Sequence, residues 1–317
     1  MISGNPRSKS FRYSLTFAVL VAALPWSAPA FARGTALAGA DADEDLEDLG
    51  ARATGSGMVG VANPNDIGAL RLNIATASLT ERYEVYTGAE LGPMGHFSLR
   101  GGAMDSRTGP VALALGYHRL TDKEWLKEGE APGWKTADET FQNPTEHQGL
   151  FAGVAYPFAN RRGSAAVNAR YDWYDSDQLG QDTAFNFGLS AAFKPAETLV
   201  LAGAIDNLLE SDFRDTRREL RLGIRWDAGS YFGIEGDALA PVTTSWDWKQ
   251  VNWRSGANVG VAEFLGIHAG YANDQTLSWV TGGVGFMSEK ADLDYGVRVR
   301  WDAPWHNVHT LDLRLRI

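Results

Sequence analysis

The residues best suited to acid–base or metal chemistry in this chain are its six histidines, at positions 96, 118, 147, 268, 306 and 309. A hydrolytic site would need a histidine beside a nucleophile, and a helical zinc site would need two histidines four residues apart. Neither spacing occurs, and His306 and His309 would face opposite sides of a strand. The absence of cysteine excludes thiolate catalysis and cysteine-ligated metal. We therefore predict a protein that is not an enzyme, with no catalytic residues, no cofactor and no metal.

A second candidate for ion binding is the acidic stretch of residues 41–48, in which six side chains are carboxylates. A calcium-binding EF-hand loop needs a glycine at its sixth position and a glutamate at its twelfth. Counted from Asp41, these positions hold Leu46 and Arg52. We interpret the stretch as a solvated leader rather than as a calcium site.

Charged residues in the rest of the chain alternate with apolar ones, a two-residue period that places them on one face of β-strands. In the last segment, apolar residues from Leu311 to Ile317 alternate with Asp312, Arg314 and Arg316. A charge on the lipid face of a membrane barrel costs about 2–4 kcal/mol at mid-bilayer, so we expect the charged face to line a lumen. The predicted lumen-facing charges are Arg82, Glu84, Arg100, Arg170, Asp172, Glu219, Arg221, Arg225, Asp294, Arg298, Arg300, Asp312 and Arg314.

Both signs of charge occur in comparable numbers on this predicted inner face. Opposite charges across a narrow lumen can pair and fill it, since perturbed ion pairs are as often structural as functional. The alternative is a selectivity path for a charged or amphipathic solute. The sequence leaves both possibilities open.

The elements that would position these charges are fourteen candidate strands between residues 80 and 317. A membrane strand needs about 9–11 residues, which these segments have. Long connections such as 122–146 alternate with short ones such as 194–196, as in bacterial outer-membrane barrels. No stretch after residue 32 has the roughly 18 consecutive apolar residues of a membrane helix. The predicted fold is all-β, a transmembrane antiparallel β-barrel of fourteen strands at residues 80–317.

The first 32 residues have the pattern of a secretory signal peptide. Three basic residues precede an apolar run at 15–24, and Ala-Phe-Ala stands at 30–32. An uncleaved anchor is the alternative, but the apolar run is too short for it. We predict cleavage near Ala32 and an exported protein of the Gram-negative outer membrane.

Residues 33–79 form the link between the signal peptide and the barrel. Residues 50–79 are rich in glycine and alanine, with a possible short helix from Pro64 that Asn63 would cap. The segment is too apolar for a linker and too rich in glycine for a long helix. We predict a periplasmic leader followed by a segment that packs inside something hollow.

Several of these stretches resemble a known family. Gly-Ala-Arg-Ala at 50–53, glycines at 55, 57 and 60, Ala-Leu at 69–70 and Asn73 resemble the mature N-terminus of the FadL and PorV-like superfamily of outer-membrane barrels. Residues 187–208, 218–223, 293–295 and 309–317 resemble strands of the same proteins. The resemblance, which includes TodX-related members, extends over most of the mature chain.

The resemblance implies a fourteen-stranded barrel whose N-terminal segment folds into the lumen as a hatch. By that resemblance Gly68, Leu70 and Asn73 are hatch residues, and a helix covers Gly68 to Leu72. The chain departs from the family pattern at Ile74, where the family has proline, and at Ile317, where an aromatic residue is usual.

Two functions follow from the resemblance, and both stay open. A FadL-like protein would move hydrophobic or amphipathic compounds across the outer membrane, with Trp125, Trp134 and Phe141 of the longest loop as candidate pocket residues. These aromatic side chains could equally belong to an interfacial belt. A PorV-like protein would be a non-transporting barrel that docks partners in a secretion, motility or adhesion complex.

A general diffusion porin is the third alternative, but porins usually have about 16–18 strands. The expected partners are outer-membrane lipid and either a hydrophobic small molecule or an envelope protein. The net charge of −10 argues against a nucleic-acid partner.

Overall fold

A computed structural model describes residues 49–92, 96–122, 145–176, 180–209, 218–229, 231–242, 250–274, 277–302 and 307–317. The predicted signal peptide, residues 1–32, and the leader up to residue 48 lie outside this part of the chain. Within it, fourteen antiparallel strands form a closed barrel. The strands are β1 (Tyr83–Leu91), β2 (Phe97–Asp105), β3 (Ala112–Asp122), β4 (Thr145–Phe158), β5 (Gly163–Ser176), β6 (Gly180–Ala196), β7 (Leu199–Asp206), β8 (Glu219–Asp227), β9 (Phe232–Pro241), β10 (Asn252–Ala262), β11 (Leu265–Asp274), β12 (Leu277–Met287), β13 (Ala291–Arg300) and β14 (Asn307–Arg316).

The barrel closes between the first strand and the last. β1 pairs with β14, with Val85 opposite Leu315 and Thr87 opposite Leu313. Every other strand pairs with its two neighbours in the sequence. Closure leaves no unpaired strand edge, which is the condition for a sheet to stand in lipid. The predicted all-β antiparallel barrel of fourteen strands is confirmed.

The outer face of the barrel is apolar and exposed. On β8, Leu222 is 52% exposed and Ile224 48%, and on β14 Leu311 is 49% exposed. The alternate residues point inward, where Asp294 and Arg298 of β13 are fully buried. A continuous apolar surface of this kind needs an apolar solvent, and a lipid bilayer supplies it.

The connections differ between the two ends of the barrel. At one end, β3 and β4 are joined by residues 123–144 and β7 and β8 by residues 207–218. At the other end, β6 and β7 are joined by residues 197–198 and β10 and β11 by residues 263–264. We call these the long-loop end and the short-turn end. β1 begins at the short-turn end, and residues 80–82 connect it there to the segment that precedes the barrel in the sequence.

Among the residues from 49 onward that the structure describes, three short helices precede the barrel: α1 (Ala51–Gly55) and two 3-10 helices, Ile67–Ala69 and Ile74–Leu79. In the described residues, no helix has the length and apolar character needed to span a membrane.

We predicted a short helix from Pro64 and, by the resemblance, a helix over Gly68 to Leu72. Both predictions were wrong in the type and the extent of the helix. The structure has one turn of 3-10 helix, and its N-cap is Asp66, whose Oδ1 accepts a hydrogen bond from the Gly68 N–H at 2.9 Å. Asn63 instead accepts from the Asn65 N–H at 3.0 Å. Side chains that bind nearby backbone N–H groups compete with a continuous helix, which is why this sequence forms separate turns.

Candidate functional site

The candidate site is the barrel interior, where charged side chains of opposite sign pair. Arg100 Nη2 lies 2.6 Å from Asp312 Oδ1, and Arg298 Nη2 lies 3.1 Å from Glu90 Oε1. All thirteen predicted lumen-facing charges have an oppositely charged partner in the structure: Arg82 with Glu84, Arg100 with Asp312, Arg170 with Asp172, Glu219 with Arg221, Arg225 with Glu235, Asp294 with Arg314, Arg298 with Glu90, and Arg300 with Asp302. The pairing favours the salt-bridged filling over an open charged path.

Two of these pairs lie at the ends of the barrel, one of them exposed and the other buried. Arg300 and Asp302, at the long-loop end, have side chains 25% and 60% exposed. Arg82, at the short-turn end, lies just before β1, and burial lowers its pKa to about 10 although the Glu84 charge opposes this effect.

Residues 49–79, which we call the inner segment, lie against these inward-facing side chains. At its start, the Ala51 N–H donates a hydrogen bond to Asp312 Oδ2. The neighbouring Arg52 guanidinium lies 3.2 Å from Asp294 Oδ1. Arg314 of β14 connects the barrel wall to the inner segment, because it donates hydrogen bonds to Asp294 of β13 at 2.7 Å and to the Asn65 carbonyl at 2.8 Å. The last two strands and the inner segment therefore share one polar network.

A second group of polar contacts holds the middle of the inner segment. Asp237 Oδ2, on β9, accepts from the N–H groups of Gly60 at 2.8 Å and Val61 at 3.1 Å. Glu235, two residues earlier on the same strand, accepts from Asn63 Nδ2 at 3.1 Å. The contacts of Asp237 satisfy two backbone N–H groups that would otherwise be buried without partners.

Glycines on the inner wall leave room for the inner segment. A Cβ on Gly256 would lie 1.9 Å from the Ser56 carbonyl oxygen, and one on Gly296 would lie 2.2 Å from the Ala51 carbonyl oxygen. On β4, a Cβ on Gly153 would lie 2.2 Å from the end of Ile74. Strand glycines mark places where another chain segment approaches closely. They account for part of the high glycine content of the sequence.

The second 3-10 helix covers an apolar region of the inner wall. Its Ile74 and Ala77 form a buried cluster with side chains of β2 to β4, namely Met104, Ala112, Ala114, Phe151 and Ala155. On its other side, Ala75 and Leu79 pack with Ala192 and Val200. The interior is thus not polar throughout. We call the contact between this helix and β3–β7 the apolar seam.

The three hatch residues expected from the resemblance all lie in the inner segment and are buried. Leu70 belongs to the apolar cluster of Ile74. Asn73 caps the second 3-10 helix by accepting from the Ala75 N–H at 2.9 Å, and its Nδ2 donates to the Val61 carbonyl at 3.0 Å. Gly68 crosses Gly50 so closely that a Cβ on Gly68 would lie 2.6 Å from the Gly50 Cα. Trp125, Trp134 and Phe141, the loop aromatics, lie outside the described residues.

At the short-turn end, Arg161 joins three parts of the chain. It lies in the β4–β5 turn, where Ala159, Asn160 and Arg161 all have positive φ, from 50° to 61°. Its guanidinium donates to the Ser78 carbonyl at 2.8 Å, to the Ser106 carbonyl at 2.9 Å and to Glu81 at 3.1 Å. The turn therefore holds the end of the inner segment, a contact that no sequence pattern indicated.

Near the long-loop end, strand pairing brings together two histidines and a carboxylate. His118, His147 and Asp172 each offer a ligand atom, and these atoms all lie within 4.8 Å of one another. We predicted no metal site from the sequence, because no two histidines are four residues apart and there is no cysteine. His118 and His147 are separated in the sequence by the longest connection. Asp172 was predicted to face the lumen, but its meeting with the two histidines depends on the register of β3, β4 and β5.

Comparison with solved structures finds the same barrel architecture. The toluene transporter TodX of Pseudomonas putida is 12% identical over 86% of this chain and 98% of its own, with a TM-score of 0.59. A TodX deltaS2S3 mutant, described as a monoaromatic hydrocarbon channel, is 11% identical over 86% of this chain and 99% of its own, with a TM-score of 0.59. No protein-family model and no curated protein matches this sequence.

At identities of 11–12%, the structural likeness to these proteins establishes the fold of this chain and no more. TodX is a FadL-family channel, so the resemblance predicted from the sequence is confirmed at the level of the fold.

Proposed function

We propose that this protein lies in the outer membrane of a Gram-negative bacterium, without residues 1–32, and admits small hydrophobic or amphipathic molecules. The exposed apolar outer face supports the location, because such a surface is stable only in lipid. The shared fold supports transport, since TodX is described as a toluene transporter and as a monoaromatic hydrocarbon channel.

The observation that carries the choice of solute is the apolar seam. Ion pairs fill much of the rest of the described interior, and a hydrophobic solute would lose contacts beside them without replacing them. A second apolar cluster, which includes Met58, Leu72 and Trp279, lies where the first part of the inner segment packs against β11 and β12. Along the seam the solute would meet alanines and Phe151, with the second 3-10 helix on the other side. We propose that the inner segment is a hatch and that the solute passes between this helix and β3–β7.

Uptake of a hydrophobic fluorescent dye tests the proposal. Intact Gram-negative cells exclude N-phenylnaphthylamine by their lipopolysaccharide layer, so expression of the protein should raise the initial rate of dye uptake. Ala155→Leu fills the seam from the inside and should return the rate to that of cells with an empty vector. Val154→Leu, on the outer face of the same strand, is the matched control and should leave uptake unchanged. Equal rates with and without the wild-type protein would rule the transport proposal out.

A second candidate, a barrel that docks an envelope protein without transport, is favoured by one observation. The inner segment is held at Asp237, Asp294 and Asp312 by buried polar contacts, so its displacement has a high energetic cost. Purification from membranes in a mild detergent distinguishes the candidates. A stoichiometric envelope protein bound to a barrel that gives no dye uptake would establish docking, whereas the barrel alone would argue against it.

A further inference from the structure

Three adjacent strands bring potential metal ligands to one row on the inner wall. His118 of β3 lies opposite Gly149 of β4, and Gly149 in turn lies opposite Asp172 of β5. His147 lies two residues before Gly149 on β4 and therefore shares its inward face. The three side chains point into the same space near the long-loop end of the barrel.

The ligand atoms of the three side chains lie close enough together to share one ion. The ligand atoms of His118, His147 and Asp172 lie within 4.8 Å of one another, and the two imidazole centroids are 5.0 Å apart with the rings nearly perpendicular, at 76°. His147 Nε2 approaches Asp172 Oδ1 at 3.3 Å. His118 is 6% exposed, and its buried Nε2 has no hydrogen-bond partner among the described residues. A buried nitrogen with an unused lone pair or proton has a cost that coordination would remove.

Gly149 keeps the space between the ligands open. A Cβ at this position would lie 2.2 Å from His118 Cε1 and 2.6 Å from Asp172 Oδ1. Any larger residue would therefore push the two side chains apart. The packing of His118 and Asp172 therefore requires glycine at position 149.

A neighbouring arginine orients the carboxylate. Arg170 Nε lies 2.5 Å from Asp172 Oδ2, so the other oxygen, Oδ1, remains directed at His147. Groups behind a ligand commonly fix its orientation in this way. Arg71 of the inner segment also acts electrostatically on His118 and Asp172. The donor set of two imidazoles and one carboxylate suits ions that bind imidazole strongly rather than Ca²⁺ and Mg²⁺, which need several oxygen ligands.

We propose that His118, His147 and Asp172 bind a divalent transition-metal ion of the zinc class. Two imidazole nitrogens and one carboxylate oxygen provide three ligands, and the fourth position would face the lumen, the ligand number usual for a zinc site that keeps one place for water. The ion would link β3, β4 and β5 at the end where the longest connection leaves the barrel. The site is independent of the solute that the barrel admits.

Zinc binding by the purified full-length protein tests the proposal. The protein is prepared in detergent with an affinity tag that lacks histidine, stripped with a chelator, and dialysed against ZnCl₂ before the metal is measured by mass spectrometry. The wild type should hold one Zn²⁺ per chain. His118→Gln and Asp172→Asn should each weaken binding at least tenfold, and the combination His118→Gln with His147→Gln should abolish it.

His309→Gln is the matched control, because His309 lies on the outer face against Tyr295 and outside the cluster. This variant should bind zinc like the wild type, and all variants should keep the heat-modifiable migration of a folded barrel. Replacement of zinc by Co²⁺ should give visible absorption bands in the wild type that the double variant lacks. Equal zinc content in the wild type and the folded double variant, or no zinc in either, would refute the site.

Discussion

Asp312 on the last strand accepts a hydrogen bond from the N–H of Ala51, at the start of α1, and also binds the Arg100 guanidinium at 2.6 Å. One carboxylate thus joins β14, β2 and the inner segment. Gly88 of β1 lies between the two residues, opposite Asp312 on one side and Arg100 on the other. A Cβ on Gly88 would lie 1.9 Å from Asp312 Oδ1. The arrangement ties the closure of the barrel to the placement of the segment inside it.

Asp312→Ala should destabilise the folded barrel by about 3–5 kcal/mol, because it removes the carboxylate that binds the buried Arg100 guanidinium and accepts from the Ala51 N–H. Asp302→Ala removes the ion pair between Asp302 and Arg300. Because the Asp302 side chain is 60% exposed, this variant should change the free energy of unfolding by only about 0–1 kcal/mol. Both values can be measured by denaturant unfolding in lipid vesicles, followed by tryptophan fluorescence. Similar losses for the two variants would contradict the role assigned to Asp312.

Gly68→Ala should cost about 1–3 kcal/mol, the usual effect of overpacking, since its new Cβ would meet the Gly50 Cα at 2.6 Å. Gly109→Ala, in the β2–β3 turn, is the control: its Cβ would meet nothing nearer than 3.7 Å. The same unfolding measurement applies. If both variants unfold like the wild type, the inner segment does not cross itself as closely as the structure has it.

Arg161→Ala should loosen the end of the inner segment, because it removes the donors to the Ser78 and Ser106 carbonyls. Hydrogen bonds from a charged group contribute about 1.5–3 kcal/mol. Hydrogen exchange by mass spectrometry should show faster exchange over residues 74–79. Arg162→Ala is the neighbouring control, since that side chain is 60% exposed and reaches Glu197 only at 4.0 Å; its exchange should match the wild type.

Leu222→Arg should destabilise the barrel by about 2–4 kcal/mol, because Leu222 lies in the middle of β8 on the outer face, where a charge would enter the hydrocarbon. Leu91→Arg, at the end of β1, should cost about 0–1 kcal/mol, since the charge can reach the interface. Folding yields and unfolding in vesicles check the difference. Equal effects would mean that the outer face of β8 does not lie in lipid.

The architecture could be predicted from the sequence because its signal is local. Alternation such as that of Leu313 and Arg314 assigns each side chain to a face, and the cost of a charge in lipid then decides which face is inside. The same reasoning counted fourteen strands correctly. Strand number and facing depend on neighbours in the chain, which any reader of the sequence can see.

The contacts within the lumen were decided only by the tertiary structure. Ala51 meets Asp312 from the other end of the chain, and His118 meets Asp172 only because β3, β4 and β5 pair in one register. Register and closure arise from the packing of all fourteen strands together, and a shift of one residue would turn each of these side chains to the other face. Sequence period determines which way a side chain points, whereas the closed barrel determines what it meets.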